Sequence, residues 1–85
     1  MQANPRRTDD PLMAQRAIIL RLLRPDHGEG WPLDHLQLAM TEVMPAAVSD
    51  AIIRLEAGGV VYCLDEFVGA SRCTRHLDSL GLITR

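Results

Sequence analysis

Eighty-five residues, 47% of them apolar and 24% charged, leave room for one small domain and exclude a disordered or collagen-like chain. Nine basic residues, every one an arginine, stand against eleven acidic ones for a net charge of −2, so the strongly basic balance of an indiscriminate polyanion binder is absent. Two cysteines, Cys63 and Cys73, are too few for a secreted disulfide scaffold, and no stretch reaches the ~20 apolar residues of a membrane span.

The opening Met1-Gln2-Ala3-Asn4-Pro5-Arg6-Arg7 lacks the apolar core of a signal peptide, so a cytoplasmic protein without membrane contact is expected. Residues 1–8 read as a flexible N-terminal tail and 9–85 as the domain. Asp9-Asp10-Pro11 is a helix start, because an acid caps the free N–H groups and proline lacks one that would be unpaired anyway. The helix runs to about Leu23, where Pro25 stops it. Leu12, Ile19 and Leu23 form one seam, flanked by Met13 and Leu20 on one side and Ile18 and Leu22 on the other, leaving Ala14, Ala17 and Arg21 as the side without apolar bulk. That stripe is wider than one core contact requires, so helix 11–23 is either central or shared with a second copy in a homodimer.

Pro25 to Gly30 is a loop by composition, and Trp31-Pro32 a short extended piece. Residues 33–40 form a two-turn helix with Leu33, Leu36 and Met40 on one side. After the break at Thr41 to Met44, Pro45 opens a helix over 45–57 whose Val48, Ala51, Ile52 and Leu55 share a face, and Gly58-Gly59 closes it. The β-branched and aromatic run Val60 to Leu64, then Asp65-Glu66 as a two-residue polar turn, then Phe67-Val68, makes a hairpin over 60–68; because Asp-Glu is not a favoured turn pair, a longer loop stays open. Ser71 caps a last helix with Cys73, Leu77 and Leu80 on its core face and Arg72, Arg75 and Asp78 opposite, and Leu80-Gly81-Leu82 ends it as a glycine cap does. The class is α+β, mostly α, with no internal repeat.

Two short helices joined by a turn, preceded by a longer helix and a short strand and followed by a hairpin, form a winged helix-turn-helix pattern. From Arg16 to Ile83, about four-fifths of the chain, the segments LLRPDHGEGWPLDHL, VSDAIIRLEAGGVV and VYCLDEFVGASR resemble small bacterial stand-alone winged helix-turn-helix proteins. The resemblance implies a three-helix core with a two-stranded wing plus a C-terminal helix. It also implies a regulator of transcription that binds double-stranded DNA, with helix 45–57 in the major groove and hairpin 60–68 as the wing.

On that reading the contact residues are Ala46, Ser49, Asp50, Ile53 and Arg54 of the recognition helix, with Arg72 and Arg75 of the last helix. Arg54 reaches a guanine edge or a phosphate, and Ser49 either. Asp50 repels phosphate unless it accepts from a cytosine amine, and Asp65-Glu66 puts acid at the wing tip. These acids favour the alternative class, a protein-interaction module on the same scaffold anchored at Ile53 or on helix 11–23. Ile53 also has a plainer reading, partial burial under the wing or the tail, and Arg72 and Arg75 the reading of a solvated face.

Cys63, Cys73 and His76 in C-x9-C-x2-H lack the close cysteine pairs of a zinc site, even with His27 or His35 as a fourth ligand, so no metal is expected. Both cysteines are expected as buried thiols, with a reactive Cys73 between Arg72 and Arg75 as the lesser reading. His35 beside Asp34 has no nucleophile, Trp31-Pro32 reads as packing, and the glycines lack the strand-then-helix setting of a phosphate loop. Neither enzyme activity nor a cofactor is expected.

Overall fold

The computed structural model describes residues 7–24 and 30–83. Helix α1 spans Pro11–Leu22, β1 Trp31–Pro32, α2 Leu33–Ala39, α3 Pro45–Ala57, β2 Val61–Leu64, β3 Phe67–Ala70 and α4 Arg72–Ser79. The fold is α+β and mostly helical, with four helices and one antiparallel sheet of order β1-β3-β2. Among the described residues no helix is long and apolar enough to cross a membrane. Expectations for residues 1–6, for the loop Pro25 to Glu29 and for the last two residues lie outside the described residues.

Helix α1 starts as its sequence dictates, with Pro11 in its first turn and the Asp10 carboxylate accepting from the backbone N–H groups of Leu12 at 2.9 Å and Met13 at 3.3 Å. Its buried face is Ala14, Ile18 and Leu22; of the expected seam Leu23 is buried and Ile19 packs against the core, but Leu12 is 75% exposed, as is the flanking Met13 at 59%. With bulk on nearly every side, apolarity does not select a face. Ala14, completely buried, marks the side where α1 lies against α3. Just before α1, Thr8 bridges to Val43, donating its N–H to the Glu42 carbonyl at 2.8 Å and accepting from the Met44 N–H at 2.9 Å. The bridge holds the α2–α3 connection, and Val43 is buried beneath it.

Helix α3 matches its pattern: Val48, Ala51, Ile52 and Leu55 are all buried. Gly59, at φ +78°, closes it, with Gly59 N–H donating to the Glu56 carbonyl and Val60 N–H to the Leu55 carbonyl, which satisfies carbonyls the helix leaves open. The same arrangement recurs at Gly81 after α4.

The hairpin has the two-residue turn its composition suggests, and the longer loop left open is absent. Leu64 pairs with Phe67, so Asp65 and Glu66 alone make the turn, at φ +49° and +68°. Positive φ at both central positions is the type I′ geometry, whose twist matches that of the strands and outweighs the unfavourable residues. The second strand continues past Val68 to Ala70. β1 pairs with β3 through Trp31 opposite Val68 and Pro32 opposite Phe67. Gly30 makes that approach feasible: at φ +142°, a Cβ there would lie 2.8 Å from the Val68 carbonyl oxygen.

Helix α4 is turned away from its expected face. Thr74 is its buried residue, whereas Cys73, Leu77 and Leu80 are exposed. The reason is polar. Thr74 Oγ1 donates to the Val60 carbonyl at 2.7 Å, the Ser71 N–H donates to the same oxygen at 3.0 Å, and Ser71 caps the helix through the Thr74 N–H. A buried hydroxyl must keep its partner, so it sets the rotation. This also overturns the expectation of buried thiols: Cys73 points outward with the rotated helix, and Cys63 lies on edge strand β2, of which only Val61 is buried.

Replacing Asp65-Glu66 by Asn-Gly, residues that accept positive φ, is expected to stabilise the domain by about 0.5–1 kcal/mol and raise Tm by a few degrees in a circular dichroism melt.

Candidate nucleic-acid interface

The packing of α3 on α1 turns the opposite side of α3 to solvent. Ala46, Ser49, Asp50, Ile53 and Arg54 are all exposed, Ile53 by 66%, so neither the β2–β3 hairpin nor any other described segment covers it. The hairpin beside it is a paired ribbon, as its sequence suggests.

Two polar contacts organise the α3 surface. Arg54 Nε donates to Asp50 Oδ2 at 2.7 Å, one helical turn apart. Such an exposed pair contributes only about 0.3–0.5 kcal/mol to stability. Its electrostatic consequence is larger, because the single cation of this face is neutralised by its own neighbour. The second contact links the helices: Gln37 Nε2 of α2 donates to Ser49 Oγ at 2.8 Å. Gln37 thereby joins the surface, which no spacing rule within one helix would reveal.

The expected contacts on the last helix sit apart from this pair. Arg72 and Arg75 are exposed on α4, whose first turn is tied to Val60 just beyond the C-terminal end of α3. At the tip of the ribbon Asp65 and Glu66 are exposed. Cross-strand partners share a face, so Tyr62 with Gly69 and Leu64 with Phe67 form the outer side of the ribbon, continued by Pro32. Leu64 is 65% exposed and Phe67 49%. The Tyr62 ring lies over Gly69, where a Cβ would come within 2.5 Å of it. This apolar row follows from the two-residue turn and was hidden while the loop length stayed open.

Among the described residues no three His, Cys, Asp or Glu side chains are placed to share a metal, and Asp34 and His35 are both exposed on α2. Partial desolvation pushes the Cys63 thiol above its ordinary pKa, and the Glu56 carboxylate, which is both a nearby charge and a hydrogen-bond partner of the neutral thiol, pushes it further.

Comparison of the chain with protein-family models, with curated proteins and with solved structures gives no match.

Removing the Glu56 charge lowers the Cys63 pKa and increases its thiolate fraction near neutrality. In a Cys73→Ser background, Glu56→Gln should therefore speed iodoacetamide alkylation of Cys63 at pH 8, the effect fading once the pH exceeds the thiol pKa of both variants.

Proposed function

We propose that the chain is a winged helix-turn-helix module that binds double-stranded DNA as a transcriptional regulator, with α2 and α3 as the helix pair, α3 as the recognition helix and β2–β3 as the wing. The observation that carries the reading is the element order α1-β1-α2-α3-β2-β3 with sheet order β1-β3-β2, together with an α3 whose outer side is open. A helix exposed on one side and beside a two-stranded ribbon is the shape a major groove accepts.

Charge sets the strength of the interaction. Duplex affinity comes largely from neutralised phosphates, and Arg54 contributes only after leaving Asp50. One copy therefore binds weakly. A two-fold dimer doubles the contacts and sets two recognition helices about one turn of DNA apart. Helix α1 offers the surface: Leu12 stays exposed although α1 is already packed on α3. Leu12→Glu, at a solvent position, should leave the fold intact and convert a dimer to a monomer in sedimentation equilibrium.

Asp50→Asn releases Arg54 and removes a repelling charge. In fluorescence anisotropy with a mixed duplex library at about 50 mM salt, the natural chain should bind weakly with an affinity that falls as salt rises, and Asp50→Asn should bind roughly 3–10-fold tighter with a steeper slope. No binding, or binding indifferent to salt, removes the DNA reading. The second reading, a protein-interaction module on the same scaffold, is favoured by the exposed Ile53 beside a neutralised ion pair. It requires that Ile53→Asp abolish capture of a partner while the melt is unchanged.

A further inference from the structure

Away from α3 the surface holds a cleft of about 460 Å³ between the outer side of α1 and the Thr8–Val43 bridge. Its walls combine two chemistries. Met13, Ala17 and Leu20, successive turns of α1, give it an apolar side that continues onto Val43. Arg16, Arg21 and Arg24 stand around that side, with Glu42 as the opposing acid. In a chain with a net charge of −2, Arg16 and Arg21 against the single acid Glu42 give this concavity a local excess of positive charge, and Arg24, which already has a partner, stands beside them.

We propose that this cleft binds a small amphipathic carboxylate, its aliphatic tail on Met13, Ala17 and Leu20 and its head on the arginines. The volume lies within the roughly 300–1,000 Å³ of small-ligand sites. Glu42 does not use up the rim: its carboxylate is 3.8 Å from the Arg21 guanidinium, beyond good hydrogen-bonding distance, and Arg16 has no partner among the described residues. A guanidinium presents a planar fork of donors that a carboxylate matches with both oxygens, and the stems of Arg16 and Arg21 add apolar wall beneath their heads. The exposed Met13 thioether is a soft, adaptable surface for an aliphatic chain. No residue of α3 or of the hairpin lines the cleft, so the proposal is independent of the DNA reading.

The test is a titration of the ¹⁵N-labelled chain, followed by amide chemical shifts, with octanoate, octan-1-ol and octylammonium as probes matched in tail. Octanoate should give saturable shifts at Met13, Ala17, Leu20 and Val43 with a Kd of about 1 mM or below, and the alcohol and the amine should bind at least about tenfold more weakly. Arg16→Gln should weaken octanoate about threefold or more while leaving the alcohol unchanged, whereas Met13→Gln, another solvent-exposed position, should weaken both. Equal affinity for octanoate and the alcohol, octanoate shifts centred on α3 or the hairpin, or no saturable shift up to about 10 mM would each overturn the proposal.

Discussion

The packing of α1 on α3 determines which surfaces this small domain has left to use. Ala14 stands at the N-terminal end of the buried row Ala14, Ile18 and Leu22 of α1, and Ala51 lies between Val48, Ile52 and Leu55 on α3. A small residue on each helix lets the backbones approach, and the larger neighbours fill the space on either side. Once that contact forms, Ile53 and the Asp50–Arg54 pair are committed to solvent, and so are Leu12 and Met13. The sheet then closes the core from one end through Trp31, Val61 and Val68, all buried. A domain of this size has few spare contacts, so loss of the α1–α3 fit would remove the interface geometry along with the stability.

How legible each element was depends on which force orients it. In α3, four apolar residues share one side at helical spacing while Ile53 is the one bulky apolar residue off it, and the buried set was readable from spacing alone. In α1 nearly every side is apolar, so burial follows fit to α3 and not hydrophobicity, and Leu12 ended up outside. In α4 the choice is made by one hydroxyl: the bond from Thr74 to the Val60 carbonyl joins residues 14 apart, and no helical periodicity reports it. The hairpin lies between these cases. Its strands were evident from composition, but its turn is fixed by strand twist, which holds Asp65 and Glu66 at positive φ against their preference. Pairing of the two-residue β1 with β3 was likewise beyond local signals, resting on Gly30 allowing contact with Val68.

The candidate site was legible as a list of exposed residues and illegible as an electrostatic surface. Spacing puts Asp50 and Arg54 on one side of a helix, but whether they attract each other or act separately toward a ligand depends on rotamers, and here the two are bonded at 2.7 Å. The link from Gln37 to Ser49 crosses between helices and needs the angle between α2 and α3. On the proposed reading, both contacts engage groups that would face the nucleic acid. A ligand of α3 must therefore compete with intramolecular partners, which weakens binding and sharpens its dependence on a correctly placed guanine or phosphate.

Two surfaces of α1 are offset by the geometry of the helix and meet at Arg16 and Leu20, which border both. Leu12 and Ile19 lie one behind the other, as do Met13 and Leu20, and the two rows are offset by roughly a quarter-turn or slightly more. The row from Met13 to Leu20 belongs to the arginine-rimmed cleft, whereas Leu12 and Ile19 border Leu82 and Ile83 of the C-terminal segment. In the proposed dimer, two copies meeting through the Leu12 row would bring Arg16, which borders both rows, toward its symmetry mate, and their repulsion would keep the cleft side out of a two-fold contact. A ligand neutralising those arginines would lift the repulsion. The apolar width of α1, excessive for one core contact, is thus used on one side by α3 and, on the proposals above, would be used by a second copy at Leu12 and by an aliphatic tail at Leu20.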